Sequence, residues 1–154
     1  MPNNFRVKIN VNDVKKLIKS AKTEVLKYDG VRTGYIRGKD YNGKDFDTVE
    51  NALLQEFGSK NGKIPSRPFI RNTIEKNAEK WTKDFEKLLN KEEPLKMMLS
   101  RMGVIVKTDL QDSIDSNTPP PNAKSTVKAK GSSYTLIDTG KLRNSIQMEL
   151  IKNK

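Results

Sequence analysis

Pro65 and Pro68 stand three residues apart in the stretch Ile64-Pro65-Ser66-Arg67-Pro68-Phe69-Ile70-Arg71. Each proline locks its own φ and steers the residue before it, Ile64 or Arg67, out of helical space. The chain is therefore stiff at both ends of a short segment. Two large apolar side chains, Phe69 and Ile70, follow at once, and a helical pattern begins directly after them. Proline at a helix start is ordinary, so the plain expectation is a rigid loop that anchors a helix N-terminus in the core. Phe69 is expected to be buried and to set where that helix begins. Arg67 is expected at the surface or as a hydrogen-bonded anchor of the loop.

The rest of the chain arranges itself around this stretch. Phe5, Val7, Ile9 and Val11 alternate with polar residues, the period of a half-buried strand. Asn12 is placed to cap a helix whose stripe is Val14, Leu17, Ile18, Ala21, Val25 and Leu26, with Lys15, Lys16, Lys19 and Lys22 on its flanks and outer face. Asp29-Gly30 reads as the end of that helix. Val31, Thr33 and Tyr35 alternate as a strand, and Asn42-Gly43 suits a type I′ turn, which predicts a hairpin over 31–47. A short helix through Val49, Ala52 and Leu53 to Phe57 is closed by Gly58.

Two long helices come next. Ile74, Ala78, Trp81, Phe85 and Leu88 form the stripe of the first, and Asn72 with Glu75 has capping-box spacing, so the regular helix starts there or a turn earlier. Trp81 is expected in the core. Pro94 opens the second helix, with Leu95, Met98, Leu99, Met102, Val106, Leu110 and Ile114 on one face. Met97, Met98 and Met102 are adaptable packing residues. Residues 117–141 read as a long basic loop, within which the prolines start a short helix through Val127 that Gly131 ends. The paucity of apolar side chains over 117–135, with three consecutive prolines, predicts mobility there in the free subunit. Ile146, Met148 and Leu150 then alternate as a closing strand. The expected fold class is α+β in one domain over 1–154. Its small mixed or antiparallel sheet has an N-terminal strand, a hairpin and a C-terminal strand, packed against three or four helices including two long ones.

Composition narrows the chemistry. The chain has 154 residues, neither cysteine nor histidine, and 30 Lys+Arg against 19 Asp+Glu, a formal charge of +11. Disulfide frames, thiolate chemistry, histidine zinc sites and Ser-His triads are excluded. No apolar run reaches membrane length, and the start Met1-Pro2-Asn3-Asn4 lacks signal-peptide form, so folding in the cytosol is expected. The charge favours an acidic partner, either nucleic acid or an acidic protein face, or serves solubility alone. Gly38, four residues and then Gly43-Lys44 imitate a phosphate loop, but Asp45 stands where a hydroxyl should hold magnesium. Leu136-Ile137-Asp138-Thr139-Gly140 imitates the turn of an aspartic protease. Such enzymes need two carboxylates sharing a proton, and the motif occurs once here. The alternative is a structural turn, in which Asp138 and Thr139 bond nearby backbone and Gly140 permits the bend.

Two blocks carry a family resemblance. Glu56-Phe57-Gly58, a Gly/Lys spacer and Ile64 to Arg71 resemble the central motif of the tail-completion and head–tail joining (neck) proteins of tailed bacteriophages. Pro119-Pro120-Pro121, Lys128 to Gly131, and Leu136 through Ile146 are similar to a second block of the same family. The resemblance covers roughly residues 50 to 150. It implies a structural virion protein of the neck or tail, neither an enzyme nor a cofactor or metal binder. Such a protein is made in the host cytoplasm and assembles as a ring, usually a hexamer, around the DNA passage. Connector and tail-tube proteins are its implied neighbours, with double-stranded DNA running through the ring and no membrane involved. The candidate assembly residues are Arg67, Phe69, Arg71, Lys124, Lys128, Lys130, Asp138, Lys141 and Arg143. A basic nucleic-acid-binding module is the alternative, distinguished by steep salt dependence.

Overall fold

The structure is a computed structural model that describes residues 27–36, 48–91 and 93–152. The expected strand at 5–11, the lysine-flanked helix after it, and the Asn42-Gly43 turn with its phosphate-loop imitation lie outside these residues. Within them the fold is α+β, as expected. Strand β1 (Tyr28–Gly34) is followed by helices α1 (Thr48–Phe57), α2 (Phe69–Leu89), α3 (Leu95–Asp115), α4 (Lys124–Lys130) and the single turn α5 (Lys141–Asn144). Strand β2 (Gln147–Lys152) closes the order.

The sheet, among the described residues, is a two-stranded antiparallel ribbon. Val31 lies opposite Leu150, Thr33 opposite Met148, and Arg32 opposite Glu149, so the alternation in both strands puts apolar residues on one face. On the other face Arg32 Nη2 lies 2.6 Å from Glu149 Oε2. Asp29-Gly30 is a correction: it falls inside β1, at an irregularity of register between Tyr28 and Gly30.

Helix α3 spans the apolar face of the ribbon and packs along α2. Met98, Leu99, Met102, Leu110 and Ile114 are buried as the periodicity predicts, whereas Met97 points outward at 49% exposure. The helix approaches the sheet at Gly103, which periodicity alone did not single out. A Cβ there would lie 2.8 Å from Val31 Cγ2 and 3.1 Å from Met148 Sδ. Gly103→Ala is therefore expected to destabilise the protein by about 1–2 kcal/mol, because overpacking outweighs the gain in helix propensity. Urea unfolding measures it, and a stabilised variant would contradict the close approach.

Two apolar clusters result among the described residues. One joins Leu88, Met98 and Met102 with the half-buried Val31, Trp81 and Phe85. Trp81 packs there as expected, and its indole N–H donates to Asp109 Oδ2 at 2.6 Å. The other joins Ala52, Phe69, Leu110, Ile114, Leu136, Leu142 and Ile146. Two stripe residues are corrected: Leu53 is 49% and Ile74 37% exposed. Thr73 is buried instead, its hydroxyl donating to the Phe69 carbonyl at 2.6 Å.

Candidate functional site

The junction between α1 and α2 explains why the first block has its sequence. Proline at position 68 supplies no side-chain cap to α2, and the first N–H groups of a helix need acceptors. Glu56, 2% exposed near the end of α1, provides them. Its carboxylate accepts the Ile70 N–H at 2.9 Å and the Arg71 N–H at 3.2 Å. A negative charge at a helix N-terminus is also favoured by the helix dipole. Arg71 Nε donates to the same carboxylate at 2.9 Å, and its guanidinium sits 5.0 Å from the centre of the Phe57 ring. Ser66 Oγ and Arg71 Nη2 donate to the Glu56 carbonyl at 2.7 and 3.0 Å. Gly58 turns the chain at φ +77°, and a Cβ there would lie 2.9 Å from both Ile64 O and Ser66 N. No side chain fits that position. Helix α2 thus starts at Phe69, a turn before the Asn72–Glu75 box.

Phe69 is fully buried and meets Tyr35 edge-on, with ring centroids 6.3 Å apart. Tyr35 donates its hydroxyl to the Leu142 carbonyl at 2.9 Å, and burial raises its pKa above the ordinary phenol value.

Arg67 is the clamp between the two blocks. The expectation of a surface position is corrected: the residue is 4% exposed. The expectation of a hydrogen-bonded anchor holds, but the anchored loop is the distant one. Nε donates to Pro120 O at 2.8 Å, Nη2 to Pro121 O at 3.4 Å and to Asn122 Oδ1 at 3.2 Å, and Nη1 to Gln55 Oε1 at 3.2 Å. Every one of these acceptors is neutral. Burial pulls the guanidinium pKa below its ordinary value, yet arginine stays charged in proteins.

The basic loop is correspondingly tied to the rest of the fold by hydrogen bonds. Thr118 and Thr135 are buried, and Thr135 Oγ1 donates to Thr118 O at 2.8 Å. The Thr135 N–H donates to Asn117 Oδ1 at 2.9 Å, and Asn122 Nδ2 to Tyr134 O at 2.9 Å. Helix α4 forms where the sequence suggests, and Gly131 ends it at φ +69°. Lys124 and Lys128 are exposed on it, while Lys130 donates to Tyr134 O.

The Asp-Thr-Gly turn launches α5, with Gly140 at φ +76° in the N-cap position. Thr139 Oγ1 accepts the Lys141 N–H at 3.4 Å. Asp138 is exposed and, among the described residues, its carboxylate makes no hydrogen bond, so its expected part in the turn is corrected. Asp138→Asn and Asp138→Ala should both stay within about 0.5 kcal/mol of wild type in denaturant unfolding. A selective loss in the alanine variant would show that the side chain does hold the bend. Arg143 is a structural residue: Nε contacts both oxygens of Asp115, at 2.9 and 2.8 Å. Lys141 is exposed on the same turn.

An open cleft of about 560 Å³ lies between the two blocks. Arg67, Lys63 and Lys130 line it together with Asp138, the sole carboxylate there among the described residues, and Ile64, Pro65, Leu136 and Leu142 contribute apolar wall. Of the candidate residues, the cleft gathers Arg67, Lys130 and Asp138. Phe69 is core beneath it, and Arg71, Lys124, Lys128, Lys141 and Arg143 stand apart. Among the described residues no cluster of three carboxylates is arranged for a metal ion, and no helix is long and apolar enough to cross a membrane. No protein-family model, curated protein or solved structure matches this chain.

Proposed function

We propose that this chain is a non-enzymatic structural protein of a tailed-phage virion. It would form a ring at the neck or the head-proximal end of the tail and join or complete the tail around the DNA passage. One observation carries the reading. The two sequence blocks that resemble tail-completion and neck proteins form a single structural unit, clamped by Arg67 on Pro120, Pro121 and Asn122. Phe69 of the first block shares a core with Leu136, Leu142 and Ile146 of the second. Residues of the two blocks are thus in contact across about fifty positions of sequence. Among the described residues the cleft they frame offers Asp138 as its one carboxylate, whereas the aspartic-protease chemistry that its turn imitates needs two.

Mass spectrometry of gradient-purified particles tests the proposal. The chain should co-purify with intact tails at a fixed low copy number and with neighbouring connector or tail-tube proteins. A chain found in the soluble lysate alone would overturn it. If that chain also bound duplex DNA with steep salt dependence, the nucleic-acid module would replace it.

A further inference from the structure

The cleft beside Arg67 holds a charge that the described part of the fold does not neutralise. A guanidinium has five N–H donors. Four hydrogen bonds are made, all to neutral oxygens, and one N–H on Nη1 keeps no acceptor among the described residues. The residue is 4% exposed, so water reaches little of it. A buried cation without a counter-charge is costly, and an anion brought to it gains more than at an exposed lysine. Among the described residues Lys63 and Lys130 on the same lining add two positive charges against the single Asp138.

We infer that this cleft is a carboxylate-recognition site that takes an acidic segment of a partner polypeptide, seating an Asp or Glu side chain against the Nη1 edge of Arg67. The shape favours a peptide over a nucleic acid. Arg67 lines the cleft and is 4% exposed, so a carboxylate on a flexible side chain approaches it more readily than a phosphate fixed on a duplex surface. Ile64, Pro65, Leu136 and Leu142 give apolar wall for the flanking residues, and a mix of apolar wall and few polar groups is usual for a ligand site. The inference concerns the chemistry of the bound segment and is independent of where the protein sits in a particle.

Fluorescence anisotropy on the full purified chain tests it, with a labelled peptide of alternating glycine and glutamate and its glutamine counterpart. The glutamate peptide should bind about tenfold or more tightly than the glutamine peptide, because the charge-assisted bond to Arg67 is lost in the latter. Charge-matched variants separate a site from diffuse attraction. Lys63→Gln with Lys130→Gln removes two charges from the lining, and Lys124→Gln with Lys128→Gln removes two from the exposed helix nearby. The first pair should weaken glutamate-peptide binding several-fold and the second should leave it nearly unchanged. Lys130 bonds Tyr134, so Lys63→Gln alone, at an exposed position, repeats the test without touching that contact. Equal losses in both pairs, equal affinity for the two peptides, or binding of inorganic phosphate without binding of the glutamate peptide would each overturn the assignment.

Discussion

Phe69→Ala lowers the unfolding free energy by about 3–5 kcal/mol, the range for truncating a fully buried aromatic residue. Nothing near the site can easily fill the space. Phe69 is the first residue of α2, its carbonyl accepts from Thr73 and Ser113, and its ring stands edge-on to Tyr35. Loss of the ring opens a cavity among Leu110, Ile114, Leu136, Leu142 and Ile146. Both sequence blocks line that cavity, so the variant loosens them together. Urea unfolding by far-UV circular dichroism measures the effect. A loss below about 1 kcal/mol would place the ring at a site that collapses freely, or outside the core.

Arg67→Ala is expected to cost about 2–4 kcal/mol. Truncation takes this donor from the carbonyls of Pro120 and Pro121 and the side-chain oxygens of Gln55 and Asn122, exposed or half-buried residues whose oxygens water can partly reach, so each lost bond costs about 0.5–1.5 kcal/mol. Removing a buried charge that has no counter-ion among the described residues offsets part of that. The larger signature is local. With the clamp gone, the segment from Pro119 to Thr135 loses its tether to the first block. Trypsin should then cut fastest at Lys124, Lys128 and Lys130, while Lys80 and Lys83 in α2 stay protected. Arg67→Lys should rescue little, because one ammonium cannot serve acceptors arranged around a planar fork. Unchanged cleavage in Arg67→Ala would show that Thr118 and Thr135 hold the loop without it.

Periodicity made most of the helical framework legible. Met98, Met102, Leu110 and Ile114 recur on one face of α3, and Met148 with Leu150 alternates on the closing strand. Burial follows the pattern in α3, because the helix period fixes which side chains share a face; in β2 the residues from Gln147 to Leu150 are all half-buried, and the alternation shows in the pairing across the ribbon. The failures have physical causes. Ile74 fits the stripe of α2, yet it is 37% exposed, and its neighbour Thr73 faces inward with its hydroxyl satisfied by the Phe69 carbonyl. Glu56 was invisible as a cap because it reaches α2 from another helix, and local cap patterns cover a few residues at most. Gly103 was silent because a glycine inside a helix says nothing by itself about the strand that crosses it.

The candidate site was legible in its parts and hidden in its geometry. The sequence singled out both blocks and named Arg67 as an anchor. That the anchor holds Pro120 and Pro121, and not its own loop, depends on a long-range contact that no local pattern encodes. The ties of the basic loop are hidden for the same reason: its few apolar side chains say nothing of the hydrogen bonds in which Arg67, Asn117, Asn122 and Thr135 take part. Asp138 drew notice through a motif whose meaning depends on a second carboxylate, and the turn is made by Thr139 and Gly140.

The central claim is that the unit joined by Arg67 belongs to a ring at the junction of head and tail. Electron cryo-microscopy of particles carrying this subunit with a small affinity label tests it most directly. The account predicts label density in a ring around the DNA passage at the neck or the head-proximal end of the tail. Particles that are complete and infectious with no label at that position would contradict it.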